Sequence, residues 1–251
     1  MRIALEQCGL GLFGAKYHGP RSIPLPDREG MSADMLASIY DIEEMREACL
    51  SGAPIGGHIW TRSAIEAGYS TILGVLREPR SRVLSLYRYW QAEDPEILTD
   101  RFGAKGKFVL RATRGDFREF LEEGLGQVDV DNGVANYLEG VLDLSRAERK
   151  GMDIRFYWTS ELDVMVASVG ALMGREQSGS GIEVGTFNET KVVGEPEVLD
   201  GPTMKLLNDR TRADRRLIAR AMQRGWVSKR SRRDLDAEFL ATQARLGFSR
   251  C

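Results

Sequence analysis

Residues 71–90 read TILGVLREPRSRVLSLYRYW. The run Thr71–Leu76 is β-branched and aliphatic, and predicts a strand that ends at Arg77. Pro79 then opens a segment of helical periodicity. Proline suits the first helical position because it needs no amide donor there and its φ is already helical. At about 100° per residue, Val83, Leu84, Leu86, Tyr87 and Trp90 share one face, which is expected to bury against the sheet. Ser81, Arg82, Ser85 and Arg88 fall on the other. Strand, arginine and helix N-terminus together are how a parallel α/β sheet builds an anion pocket. Arginine suits a phosphate there because its planar fork donates two parallel hydrogen bonds. The same pattern also describes an amphipathic helix whose polar face is merely solvated, and pattern alone does not choose between the two.

Outside this stretch the chain has the stamp of one α/β domain spanning residues 1–251. Its 251 residues are 42% hydrophobic and 29% charged, enough material for a substantial core. No run approaches the length of a membrane span, and no charged-then-apolar leader pattern opens the sequence. The three cysteines, Cys8, Cys49 and Cys251, lack metal-type spacing and read as free thiols in a reducing, cytoplasmic setting. With two histidines and no Cys/His cluster, no metal site is expected.

The net charge of −2 hides a basic stretch from Arg210 to Arg233, ten Lys or Arg against the single acid Asp214. Such a stretch can track an anionic surface, or form the solvated face of a helix. Leu206, Leu207, Leu217, Ile218, Ala221 and Met222 supply an apolar stripe beneath it, which favours the second reading.

Strands are predicted at 13–18, at 71–76 and at 154–158, with a small-residue strand or turn over 53–60 that ends at His58. Helices are predicted at 34–50, 63–67, from Pro79, at 117–123, 133–143 and 162–173, with a mostly helical C-terminal third. Strands alternating with helices argue for a parallel sheet with helices on both faces.

LREPRSRVLSLYRYW resembles the 3′-phosphate-binding signature of sulfotransferases that use 3′-phosphoadenosine 5′-phosphosulfate (PAPS). The likeness is to the carbohydrate group, with the heparan sulfate 2-O-type enzymes and their bacterial relatives. In that family a strand-end arginine and a helix serine eight positions later hold the 3′-phosphate, which here implies Arg77 and Ser85. The resemblance also implies a P-loop-NTPase-like three-layer fold, a parallel sheet flanked by helices with a helical C-terminal third.

Further segments agree in order. GGHIW at 56–60 matches a segment whose histidine is thought to deprotonate the acceptor hydroxyl, making His58 the candidate base, with a structural histidine as the alternative. His18 is a weaker rival. DNGVANYLEG at 131–140 is similar to an Asn-(Leu/Gly)-Gln-Thr-Arg-Tyr-Leu-Ser-Gly segment, although Val134, Ala135 and Asn136 depart from it. YWTSELD at 157–163 and FNETK at 187–191 match a strand-to-helix passage and an Asn-x-Ser/Thr element.

The family's opening strand and 5′-phosphosulfate loop are not found. GLGLFGAK at 9–16 has its lysine misplaced and lacks the Ser/Thr. RIALEQCGL at 2–10 instead reads as the helix that follows the loop, so the first strand and loop are expected to be missing. A misassigned start and a genuine truncation both account for this, and sheet physics favours the first, since a missing central strand leaves unpaired edges. As written, the chain is expected to bind adenosine 3′,5′-bisphosphate (PAP) weakly and to turn over poorly.

The functional expectation is sulfuryl transfer from PAPS to a hydroxyl acceptor, of carbohydrate type, with no nucleic acid as partner. The alternative is a non-catalytic truncated relative that binds nucleotide or anionic glycan. A P-loop kinase is disfavoured by the absent Walker loop, and a nucleic-acid binder rests only on the basic stretch.

Overall fold

A computed structural model of the chain describes residues 13–18, 42–59, 61–96, 110, 114–125, 135–172, 192 and 196–250. The architecture is mixed α/β and mostly helical, with small parallel sheets. Strand β1 (Phe13–His18) pairs in parallel with β2 (Ile55–Ile59), helix α1 (Ile42–Leu50) preceding the latter. After the short α2 (Thr61–Glu66) comes β3 (Thr71–Leu76), which pairs in parallel with β4 (Asp153–Trp158) along its whole length, from Thr71 opposite Asp153 to Leu76 opposite Trp158. A Cβ at Gly74 would lie 2.7 Å from the Phe156 ring, so this strand accepts nothing larger there.

Helix α3 (Pro79–Ala92) follows β3 directly; β3 spans the predicted residues and α3 opens at Pro79 as the sequence predicts. Helix α4 (Phe117–Glu119) opens on the Asp116 cap and widens into a π-helical turn over Phe120–Gly124. Then come α5 (Ala135–Leu142), and after β4 the helix α6 (Leu162–Leu172). The C-terminal third holds α7 (Gly201–Arg210), α8 (Arg212–Gln223) and α9 (Arg232–Arg245). It also holds a short parallel ladder unforeseen from sequence, β5 (Glu197–Leu199) with β6 (Phe248–Arg250).

The sheet differs from expectation. Among the described residues there are three two-stranded parallel ladders rather than one continuous sheet. At β4, the Phe156 amide donates to the Trp226 carbonyl at 2.6 Å, so the turn after α8 meets this strand where another strand would otherwise pair.

Two apolar cores result. In the first, Ile72, Leu76, Ile154, Phe156 and Trp158 of the β3–β4 ladder pack with Leu138 and Val141 of α5 and Leu217, Ile218 and Ala221 of α8. In the second, Val83, Leu84, Tyr87 and Trp90 of α3 pack with Phe117, Phe120, Leu207, Phe239 and Phe248. The apolar face of α3 therefore buries against α4, α7, α9 and β6, not against the sheet as expected. Within this core Tyr87 stands edge-on to Phe117 at 5.1 Å between centroids, and Trp90 edge-on to Phe120 at 5.8 Å. The basic stretch follows the solvated-face reading: α8 buries Leu217, Ile218 and Ala221 and turns Arg212, Arg216 and Arg220 outward. Among the described residues no helix is long and apolar enough to cross a membrane.

Candidate functional site

The carboxyl ends of β3 and β4 lie side by side, because Leu76 and Trp158 are register partners. Arg77 and Thr159 are the residues that follow. The crevice beyond parallel strand ends is where open α/β folds place ligands. The loop after α8 and the first turns of α9 close around it.

Most charges here are already matched. Glu78, 1% exposed, accepts the Ser81 amide at 2.7 Å and the Arg80 Nε–H at 2.7 Å. Arg80 also donates to Asp236 at 2.8 Å and lies 4.4 Å over the Phe239 ring. Arg230 donates to Glu238 at 2.6 Å and to Ser160, and stacks 4.7 Å over Trp158. The second oxygen of Glu238 faces the Glu78 amide at 3.4 Å. Glu161 holds the β4 end by accepting the Trp158 amide at 3.0 Å and the Ser228 hydroxyl at 2.6 Å.

Arg215, whose buried Nε has no partner, is one exception, and Arg77 is the other. It is half-buried, and among the described residues it forms no ion pair or hydrogen bond. Burial, and after it the nearby positive charge of Arg245, lower its pKa, while Glu238 and Glu78 act the other way. Neither carboxylate is bonded to Arg77, so its guanidinium donors remain open to an anion's oxygens.

Two hydroxyls of α3 are also left over. Ser81 is 0% exposed and Ser85 8% exposed, and the Oγ of each has no hydrogen-bond partner. A buried hydroxyl left without a partner costs about 1–3 kcal/mol. Sequence leaves open whether this face of α3 is solvated; here both serines are buried, and α9 packs along α3 through Arg80 to Asp236 and Arg88 to the Leu246 carbonyl. Arg88, from the same face, is fully buried and committed, donating to the Leu246 carbonyl at 3.1 Å and to Gln91 at 2.7 Å.

Of the residues singled out from sequence, Arg77 and Ser85 thus occupy one strand–helix unit, and both lack internal partners among the described residues. His58 stands in β2 opposite Tyr17, with His18 one register step beyond, opposite Ile59. Its side chain lies outside the described structure. So do residues 2–10, most of the 9–16 glycine stretch, residues 131–134 and the 187–191 segment.

The site also includes residues that sequence reasoning missed: Glu78 and Glu238. An acid immediately before a helix-opening proline was the one available signal, since a carboxylate favours a helix N-terminus. Nothing local marks Glu238, which reaches the site only through the packing of α9 on α3. The arrangement offers side-chain hydrogen-bond donors to an anion. The α3 N-terminus contributes less than expected, because Glu78 already takes its Ser81 amide. No family model, curated protein or solved structure matches this chain.

Proposed function

We propose that the chain is a sulfotransferase using PAPS, with Arg77 and Ser85 on the nucleotide's 3′-phosphate. The observation that carries this reading is the pairing of two unmet needs at the end of β3. Arg77, with Glu238 and Glu78 near it, has no bonded partner among the described residues, and eight residues on, the buried Ser85 Oγ lacks a partner. A phosphate answers both, its oxygens accepting from the hydroxyl and from the guanidinium fork.

When bound, PAPS supplies a sulfuryl group for transfer to an acceptor hydroxyl, which we take to be on a carbohydrate. Arg77 and Ser85 fix the nucleotide's position, and positioning is the larger part of catalysis in such group transfers. His58, an imidazole able to accept a proton near neutral pH, is assigned as base toward the acceptor hydroxyl. The three-layer P-loop-like arrangement and a cytoplasmic location belong to the same proposal.

Calorimetric titration of the full chain with PAP tests the reading. Saturable binding is expected, weakened about tenfold or more by Arg77→Ala or Ser85→Ala, the size of a hydrogen bond to a charged group. No binding at millimolar nucleotide overturns it. A second reading, a non-catalytic binder of nucleotide or anionic glycan, is favoured by the outward Arg216 and Arg220 of α8. Nucleotide binding without any sulfuryl transfer, even with His58 intact, decides for it.

A further inference from the structure

Helix α9 lies along α3 in a seam whose level can be read from its pins. Arg80 meets Asp236 and Phe239 at one end, and Arg88 meets the Leu246 carbonyl at the other. Both helices therefore run in the same direction. From Arg80, Ser85 is about 7.5 Å further along α3, and from Phe239, Gln243 is about 6 Å further along α9, at 1.5 Å per residue. Gln243 also shares a stripe with Phe239 and Leu246, by i, i+4, i+7 spacing, so it belongs to the side of α9 that faces α3.

Gln243 is 4% exposed, and its Oε1 has no hydrogen-bond partner. Three orphaned polar groups, Ser81 Oγ, Ser85 Oγ and Gln243 Oε1, thus stand on the two walls of one seam. Arg77 opens at its β3 end, with Glu238 and Arg245 of α9 both acting on its charge. Native interiors rarely leave such groups unmet, and a cluster of them beside a half-buried guanidinium with no bonded partner points to a polar ligand rather than to packing. A carboxamide brings two donors and one acceptor, and either orientation of the amide is open to it.

We propose that α9 is the second wall of the phosphate pocket, and that Gln243 distinguishes nucleotides phosphorylated at the 3′ position from those phosphorylated only at the 5′ position. This rests on the nucleotide reading above. The Gln243 amide donates to a 3′-phosphate oxygen opposite the Ser85 hydroxyl. A nucleotide without that phosphate leaves seam and amide as they are, so it gains nothing from Gln243.

The test titrates the full chain, wild type and variants, with PAP and with adenosine 5′-monophosphate. Gln243→Leu removes the amide at similar volume, and Gln243→Glu places a like charge against the phosphate. Both are expected to weaken PAP binding about tenfold or more, as for loss of a hydrogen bond to a charged group, and to leave monophosphate binding unchanged. Thermal denaturation of Gln243→Leu is expected to match wild type, separating lost recognition from lost fold.

An unchanged preference for PAP in Gln243→Leu overturns the inference alone, the seam then holding only water. Wild-type protein that does not bind PAP, or binds it without regard to Arg77→Ala, overturns the nucleotide reading and this inference with it.

Discussion

The Glu78 carboxylate accepts the Ser81 amide at 2.7 Å with one oxygen and the Arg80 Nε–H at 2.7 Å with the other. The chain thus supplies its own anion at the start of α3, and an outside anion there must be held mainly by side chains. Removing this carboxylate takes away the helix cap and one partner of a buried pair. Glu78→Ala is expected to lower stability by about 3 kcal/mol, read from urea denaturation. Glu78→Gln keeps an amide-accepting oxygen and is expected to lose less. It also removes a negative charge facing Arg77, so calorimetry should find PAP bound more tightly than by wild type.

Ser85 makes an opposite prediction. Its hydroxyl satisfies nothing inside the protein, so Ser85→Ala is expected to leave stability unchanged or raise it by up to about 1 kcal/mol. Nucleotide binding should nonetheless weaken about tenfold. A variant as stable as wild type with undiminished PAP affinity would show that this hydroxyl is only a packing feature.

Tyr87 lies at the centre of the second core, its hydroxyl donating to Glu197 at 2.7 Å and lying 3.0 Å from the Gly115 carbonyl. Burial first, and then the hydrogen bond to Glu197, push its pKa well above the ordinary value of 10.0. The folded state therefore holds this proton more tightly than the unfolded state. The resulting stability is complete below pH of about 10 and is lost as pH rises beyond it. Thermal denaturation between pH 8 and pH 11 (roughly the range that brackets free tyrosine) should show a decline that is shallower in Tyr87→Phe. At neutral pH that variant should be less stable by about 1–3 kcal/mol, since Glu197 loses its donor.

Gly140 ends the YLEG run of α5 and lies against α2. A Cβ there would sit 2.6 Å from the Arg62 backbone nitrogen and 2.7 Å from Thr61 Oγ1. Ordinarily a helical Gly→Ala change stabilises, by about 0.5–1 kcal/mol. Here the backbone of α2 must move, and Gly140→Ala is expected to destabilise by about 1–3 kcal/mol in denaturant titration.

Local signals made parts of this fold legible. Thr71–Leu76 and the start of the helix at Pro79 were readable to the residue, because β-branched run, proline and 3.6-residue periodicity all act within a turn or two of chain. Phe13–His18 was also readable as a short strand. The β5–β6 ladder was not, since each strand is three residues long and its partner lies some fifty residues away. Likewise Gly140 could be noted in sequence but not explained, because what it avoids is the backbone of another helix.

The sequence by itself determined the strand–Arg77–helix unit and the placing of Ser81 and Ser85 on one face of α3. It left open whether that face meets water or a ligand. Only the tertiary structure decided that α9 lies over it, taking Arg88 into an internal bond while leaving the hydroxyls of Ser81 and Ser85 unmet. The reason is physical: a helix's periodicity states which residues share a face, but the fate of a polar face depends on what distant chain covers it. Here that chain is a helix more than a hundred residues away, with Gln243 on its facing side.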